Sequence, residues 1–177
     1  MDLTEKTVFS EEIYQGKVIH VQVDTVLLPN GHQSKRELVL HHGGVAVVAV
    51  DENRRVPMVR QYRKALEELV LEIPAGKLEP GEDPQACGLR ELQEETGLTA
   101  KSVIHLGEYY PSPGYCGERI NIYLAQKLSS AGQSLDPDEF LDVEYYDLDE
   151  LFQMIMDGKI QDAKTAIGIL KAKNILG

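Results

Sequence analysis

Three glutamates, Glu91, Glu94 and Glu95, lie close together in a segment that reads as a helix over residues 84–96. At about 100° per residue their i, i+3, i+4 spacing puts all three carboxylates on one face, with Ala86, Leu89 and Leu92 opposite. Cys87 and Gly88, one turn earlier, are small and are expected to leave the glutamate face open. Carboxylates so crowded repel one another and hold protons more tightly unless a cation sits among them. Hard oxygen donors of this kind suit Mg²⁺, with Mn²⁺ as a second possibility. A glutamate-rich helix is more often just a solvated face, so the triad alone does not make a metal site.

The frame around the triad narrows the choice. Gly76 to Glu82 reads as a loop that turns at Pro80-Gly81. Asp83 followed by Pro84 is a helix start, an N-cap and then a proline at the first helical position, and Gly97 fits the stop. Taken whole, residues 76–98 resemble the signature of the Nudix hydrolase family, Gly-x5-Glu-x7-Arg-Glu-apolar-x-Glu-Glu-x-Gly-apolar. Gly76, Glu82, Arg90, Glu91, Leu92, Glu94, Glu95, Gly97 and Leu98 fill every specified position. The single-residue requirements alone give chance odds on the order of one in 10⁹ at equal residue usage.

The resemblance implies a Nudix α/β/α sandwich with a mixed β-sheet and an N-terminal β arm. It also implies divalent cations that neutralise a diphosphate and orient water for in-line attack on phosphorus. Glu91, Glu94 and Glu95 would be the ligands, with the backbone carbonyl of Ala75 as a further one. Glu82 and Arg90, with Gly76 and Gly97, would have structural roles in the box.

The likeness extends beyond the box to the family's ADP-ribose pyrophosphatase branch of bacterial type. Its marks are Pro111-Ser112-Pro113-Gly114, with Pro113 sixteen residues past Gly97, together with Ser34-Lys35-Arg36-Glu37, Val59-Arg60-Gln61-Tyr62-Arg63, Glu72-Ile73-Pro74-Ala75-Gly76 and Asp162-Ala163-Lys164-Thr165-Ala166. By that likeness the expected reaction is hydrolysis of ADP-ribose to AMP and ribose 5-phosphate. Arg36 and Glu37 become candidates for the adenine or ribose, Arg63 for the diphosphate, and Pro113, Gly114 and Glu118 for the substrate pocket; Arg60 is left open. Asp136-Pro137-Asp138-Glu139 resembles an acidic loop that supplies a catalytic carboxylate, with Glu139 as candidate general base. The branch also implies a homodimer with exchanged N-terminal strands. The alternatives are a Nudix hydrolase acting on another nucleoside diphosphate sugar and a non-catalytic module that senses a nucleotide.

These residues need elements to hold them. The 177 residues suit one domain: an arm over 1–42, a catalytic core over 43–147, and C-terminal helices over 148–177. Residues 7–41 read as strand and turn, with Lys17 to Leu28 extended, a turn at Pro29-Asn30-Gly31, and a further run starting at Glu37. Val45 to Val50 is a continuous apolar run suited to a strand buried on both faces. Strands follow at Val56 to Tyr62, Leu69 to Ile73, Val103 to Tyr109, Ile120 to Leu124 and Val143 to Tyr146. Leu148 to Met156 has helical spacing, and Asp162 caps a last helix whose expected inward residues are Ala166, Ile167, Leu170 and Ile175.

Composition excludes other classes. With 29 acidic against 18 basic residues, a net charge of -11, the chain lacks the basic face that a nucleic-acid binder needs. The longest apolar run is too short to cross a bilayer, and the N-terminus does not resemble a signal peptide, so a soluble cytoplasmic protein is expected. Cys87 and Cys116 are too few for a disulfide framework or a zinc site. His41 and His42, adjacent on an expected strand, point to opposite faces and read as strand-end residues. No Gly-rich phosphate loop of the commoner nucleotide folds is present.

Overall fold

The computed structural model describes residues 2–135, 137 and 139–177. Its elements run β1 (Lys6–Gln15), β2 (His20–Leu27), β3 (Gln33–Leu40), β4 (Gly44–Ala49), β5 (Arg55–Arg63), β6 (Glu68–Glu72), β7 (Ala75–Lys77), α1 (Pro84–Thr96), β8 (Leu98–Tyr109), β9 (Ile120–Ser130), β10 (Leu141–Asp147), α2 (Leu148–Met156) and α3 (Ala163–Leu176). They divide into two compact units. One comprises the residues up to Gly43 with Tyr110–Arg119; the other comprises Gly44–Tyr109 with Ile120–Gly177.

The first unit is an antiparallel meander, β1-β2-β3, joined by a bridge between Val39 and Cys116. Every residue of β1 is exposed, which is why no hydrophobic alternation marks it in the sequence.

The second unit is built on a four-stranded mixed sheet, β7-β4-β9-β8, in which β4 and β9 run parallel. The apolar run at β4 serves both faces. Val45, Val47 and Ala49 pack with Cys87 and Leu92 of α1 and with Tyr123. Ala46, Val48 and Val50 pack into the larger core with Met58, Ile73, Leu148, Leu151, Ile169 and Ala172. The antiparallel sheet β10-β5-β6, α2 and α3 thus contribute to the core on the side opposite α1. This is a mixed α/β fold with helices on both faces of its central sheet. Among the described residues no helix is long and apolar enough to cross a membrane.

Both helices that pack on the sheet do so differently from the expectation. In α1 the buried residues are Cys87, Gly88, Leu92 and Glu95, while Ala86 is exposed and Leu89 half-buried. The small pair Cys87 and Gly88 does not leave a face open. It is the point of closest approach, and a Cβ on Gly88 would meet Val47 Cγ2 at 3.1 Å. In α3 the inward residues are Thr165, Gly168, Ile169 and Ala172, whereas Leu170 and Ile175 are 37% and 47% exposed. A helix brought against a flat sheet gets nearest through its smallest side chains, and larger apolar residues are displaced to the flanks. Residues 75–77, read from the sequence as leading into a loop, form β7, with Gly76 opposite Val45 of β4.

The ends of α1 follow local chemistry. Asp83 accepts from the Ala86 N–H at 2.9 Å, and Gly97 closes the helix at φ 72° with its N–H donating to the Gln93 carbonyl at 2.8 Å. A Cβ on Gly97 would lie 2.8 Å from the Gln133 backbone nitrogen. Gly97→Ala is therefore expected to cost about 1–3 kcal/mol, from the left-handed backbone and this contact, read from the midpoint of urea unfolding.

Candidate functional site

The packing of α1 sets the site. Because Gly88 and Leu92 face the sheet, Glu95 is carried inward and Glu91 partly so, while Glu94 stays at the surface. Glu95 is 1% exposed, an environment that a carboxylate tolerates only with partners. Its Oε2 accepts from the Ala75 N–H at 3.0 Å; its Oε1 is buried with no hydrogen-bond partner among the described residues. Burial above all pushes its carboxyl up to about 8, the Ala75 hydrogen bond opposing and the charges of Glu139 and Glu91 adding to the rise. Burial likewise raises Glu91, against the pull of Arg90, with Glu94 and Glu139 adding to the rise.

Gly76 makes the space for Glu91. A Cβ there would stand 1.9 Å from the Glu91 carboxyl carbon, so any other residue would displace that carboxylate from this position. Arg90 lies on the solvent side of the cluster. Its Nη1 is 2.9 Å from Glu91 and 2.8 Å from Glu94, and its Nε donates to Glu82 at 3.1 Å. Glu82 also accepts from the Glu79 N–H at 3.0 Å, and the Arg90 pairing chiefly holds its carboxyl down at about 2. Burial pushes the Cys87 thiol up to about 12, so it is a protonated packing residue.

Among the described residues no three side chains stand in finished metal-ligand geometry, since the Arg90 guanidinium engages both Glu91 and Glu94. The donor set nonetheless fits a hard divalent cation. It offers an orphaned buried carboxylate oxygen, a second raised carboxylate seated against the bare backbone of Gly76, and a third at the surface. The charge of Glu139 adds to the rise of both Glu91 and Glu95. Asp136 and Asp138, the rest of the acidic loop motif, lie outside the described residues.

The other expected contacts are distributed differently. Arg63 is bound by Nε and Nη2 to Glu72, at 2.6 and 2.7 Å, and Arg60 is held by Glu144. Glu72, 1% exposed, also takes an ion pair from Lys164. Burial works to raise its carboxyl, and the two cations outweigh it, leaving the group below the usual range. Glu72 and Lys164 were seen in the sequence only within motifs, with no role assigned. The signal was a glutamate at the end of an apolar strand, followed by Ile73 and Pro74. A groove of about 550 Å³, lined by Arg60, Arg63, Leu69, Leu71, Ile160 and Lys164 among others, runs beside this cluster. Glu91, Glu94 and Glu95 do not line it, so volume and chemistry do not coincide here.

The remaining candidates fall in the N-terminal unit. Arg36 pairs with Glu5 through Nε at 2.9 Å and Nη2 at 2.6 Å. Glu37 is exposed on β3, opposite Val23. Pro113 and Gly114 are exposed in a turn closed by the Cys116 N–H on the Ser112 carbonyl at 2.9 Å. Glu118 lies 3.7 Å from His41 Nδ1, which also accepts from the Gly43 N–H.

Comparison with known proteins identifies the family to which this fold belongs. Residues 40–166 match the NUDIX domain, and residues 5–39 match the nucleoside diphosphate sugar hydrolase N-terminal domain. The chain belongs to the Nudix family. It is 47% identical to an ADP-ribose pyrophosphatase of Bacillus subtilis (strain 168), over 94% of this chain and 91% of that protein. It is 48% identical to a methanol dehydrogenase activator of Bacillus methanolicus, over 93% and 90% respectively. A crystal structure of an ADP compounds hydrolase superposes with a TM-score of 0.86 at 22% identity, covering 99% of this chain and 96% of that one, which shows a shared fold.

The Glu95 environment has a sign that can be measured. A carboxyl raised from 4.5 to about 8 contributes stability that is complete below its ordinary value and lost as pH rises through about 8. A divalent cation needs the ionised form. Binding of Mg²⁺ to the metal-free protein is therefore expected to release about one proton at pH 7 and almost none above roughly pH 9. Calorimetry in buffers of different ionisation enthalpy reads this directly. Proton release that does not change with pH would contradict the assignment.

Proposed function

We propose that this chain is an ADP-ribose pyrophosphatase, converting ADP-ribose and water to AMP and ribose 5-phosphate. The observation that carries the reading is the buried Glu95 oxygen without a partner, beside Glu91 and Glu94, in a Nudix chain whose 47% identical relative bears that name. Glu91, Glu94, Glu95 and the Ala75 carbonyl would hold Mg²⁺ or Mn²⁺. When bound, such ions neutralise the diphosphate oxygens and render water a better nucleophile.

The chain's own residues would do the rest. Glu139, whose charge reaches Glu91 and Glu95, would take the proton from the attacking water. One phosphorus–oxygen bond forms to that water as the bridging phosphorus–oxygen bond breaks. Arg63 spends Nε and Nη2 on Glu72, which leaves Nη1 for a diphosphate oxygen. Arg36, Glu37, Pro113, Gly114 and Glu118 would contact the nucleoside and ribose. Arg90, Glu82, Gly76 and Gly97 would keep the loop and helix in register. The action would be on a soluble nucleotide sugar in the cytoplasm, with nucleic acid and membrane playing no part.

We also propose a homodimer in which residues 1–42 exchange between copies, attached to the core of 43–147 and the helices of 148–177. Val26 is the one buried apolar side chain among the described residues of that arm, whereas Val8, Phe9, Ile13 and Tyr14 are all more than half exposed. A small sheet with so little core needs a partner surface to be stable. Light scattering should give a dimer, and the double variant Phe9→Glu, Ile13→Glu a monomer with at least about tenfold lower kcat/KM. A wild-type monomer with full activity would contradict the exchange.

Glu95→Gln keeps an acceptor for the Ala75 N–H and so should fold, and Glu94→Gln changes only a surface group. Each is expected to lower kcat for ADP-ribose about 100-fold or more, with EDTA abolishing wild-type turnover. Turnover unimpaired in both variants would dispose of the metal assignment. Comparable rates on several nucleotide sugars would replace ADP-ribose with a broader substrate class. Binding of ADP-ribose without AMP formation would leave a sensing module, the rival that the activator relative keeps in view.

A further inference from the structure

Five successive residues at the entry to the box are held between β4, β5, α1 and α3 of the catalytic unit. Glu72 takes ion pairs from Arg63 of β5 and Lys164 of α3. The Ile73 N–H donates to the Thr165 hydroxyl at 2.9 Å, and the Pro74 carbonyl accepts from the Val47 N–H of β4 at 2.9 Å. The Ala75 N–H donates to Glu95 of α1, and Gly76 lies against the Glu91 carboxyl. The link through Thr165 joins residues 92 apart in sequence, both fully buried.

Thr165 is itself fixed. Its hydroxyl donates to Asp162 Oδ2 at 2.6 Å, and the same oxygen accepts from the Thr165 N–H at 3.0 Å as the helix N-cap. With its hydrogen committed to Asp162, the hydroxyl presents a lone pair to Ile73. Two residues further on, at the start of β7, is Ala75, whose N–H holds Glu95 and whose carbonyl is the expected backbone ligand. The first turn of α3 therefore sets the position of a strand that it reaches through neither sheet pairing nor apolar packing alone.

We propose that Thr165 is a positioning residue for the carboxylate cluster, acting through Ile73 and Ala75 on Glu95, with Asp162 orienting its hydroxyl and Lys164 steadying the strand at Glu72. The proposal rests on the reading of Glu91, Glu94 and Glu95 as a cation site, and it assigns to a residue at the far end of the chain a part in building that site. A strand end with a free Ile73 N–H would shift to satisfy it, because a buried donor without a partner is costly, and Ala75 would move with it.

The test compares Thr165→Val, which keeps the shape and removes the hydroxyl, with Thr165→Ser, which restores it. Amide exchange at Ala75 is read against that at Val50, which donates to Ala125 in the core and reports overall stability. The Val variant is expected to speed Ala75 exchange about tenfold relative to Val50 and to weaken Mn²⁺ binding by a similar factor. It should lower kcat for ADP-ribose with little change in KM, and the Ser variant should recover all three. An unchanged Ala75-to-Val50 ratio in the Val variant, or the same defect in both variants, would overturn the proposal. If the wild-type protein binds no Mn²⁺, the cation reading fails separately, and the exchange ratio still decides whether Thr165 governs Ala75.

Discussion

The structure turns on one carboxylate placed where a carboxylate is hard to keep. Glu95 is inside the protein because α1 lies against the sheet along Gly88 and Leu92, and one turn on from each the helix points inward again. One of its oxygens is satisfied by the Ala75 N–H and the other by nothing among the described residues. Left alone, such a group stays neutral at the cost of a raised proton affinity; given a divalent cation, it becomes a ligand. Glu91 repeats the situation more mildly, in a space that exists because Gly76 has no side chain. The site is thus a local instability that the rest of the fold is arranged to tolerate.

The surrounding charges are matched to that task. Arg90 pairs with Glu82, Glu91 and Glu94 from the solvent side and offsets part of their mutual repulsion. Because Arg90 makes these contacts on the exposed rim, it can yield Glu91 and Glu94 without opening the core. Arg63 and Lys164 are different, for they are committed to Glu72, a buried anion that supports the strand behind Ala75. In a chain of net charge -11, these few placed cations set the charge balance around the buried carboxylates.

Much of this was legible in the sequence because it is local. The Asp83-Pro84 start and the Gly97 stop depend on residues within two turns of one another, and the structure places them as their chemistry requires. The glutamate spacing was plain too, but not that Glu95 would be buried with Leu92 while Glu94 stays at the surface. The two-faced strand at 45–50 was equally clear from its unbroken apolar run. The orientation of α1 and α3 was not, because weighing apolar bulk selects Ala86, Leu89, Leu170 and Ile175, whereas closest approach selects Cys87, Gly88, Gly168 and Ala172. Nor could residues 72–75 be joined to Lys164 and Thr165, since nothing local reports a contact across 92 positions. The strand at 6–15, exposed throughout, was read only as part of a strand-and-turn stretch, since no apolar alternation marks its bounds.

The most direct test of the central claim is an anomalous diffraction map from crystals of the protein soaked in Mn²⁺. The account predicts a peak at ordinary oxygen-ligand distance, about 2.1–2.3 Å, from the Glu95 oxygen that has no protein partner, with Glu91 or the Ala75 carbonyl completing the shell. Ordered crystals with manganese only at surface carboxylates, and Glu95 still bound by Ala75 alone, would contradict it.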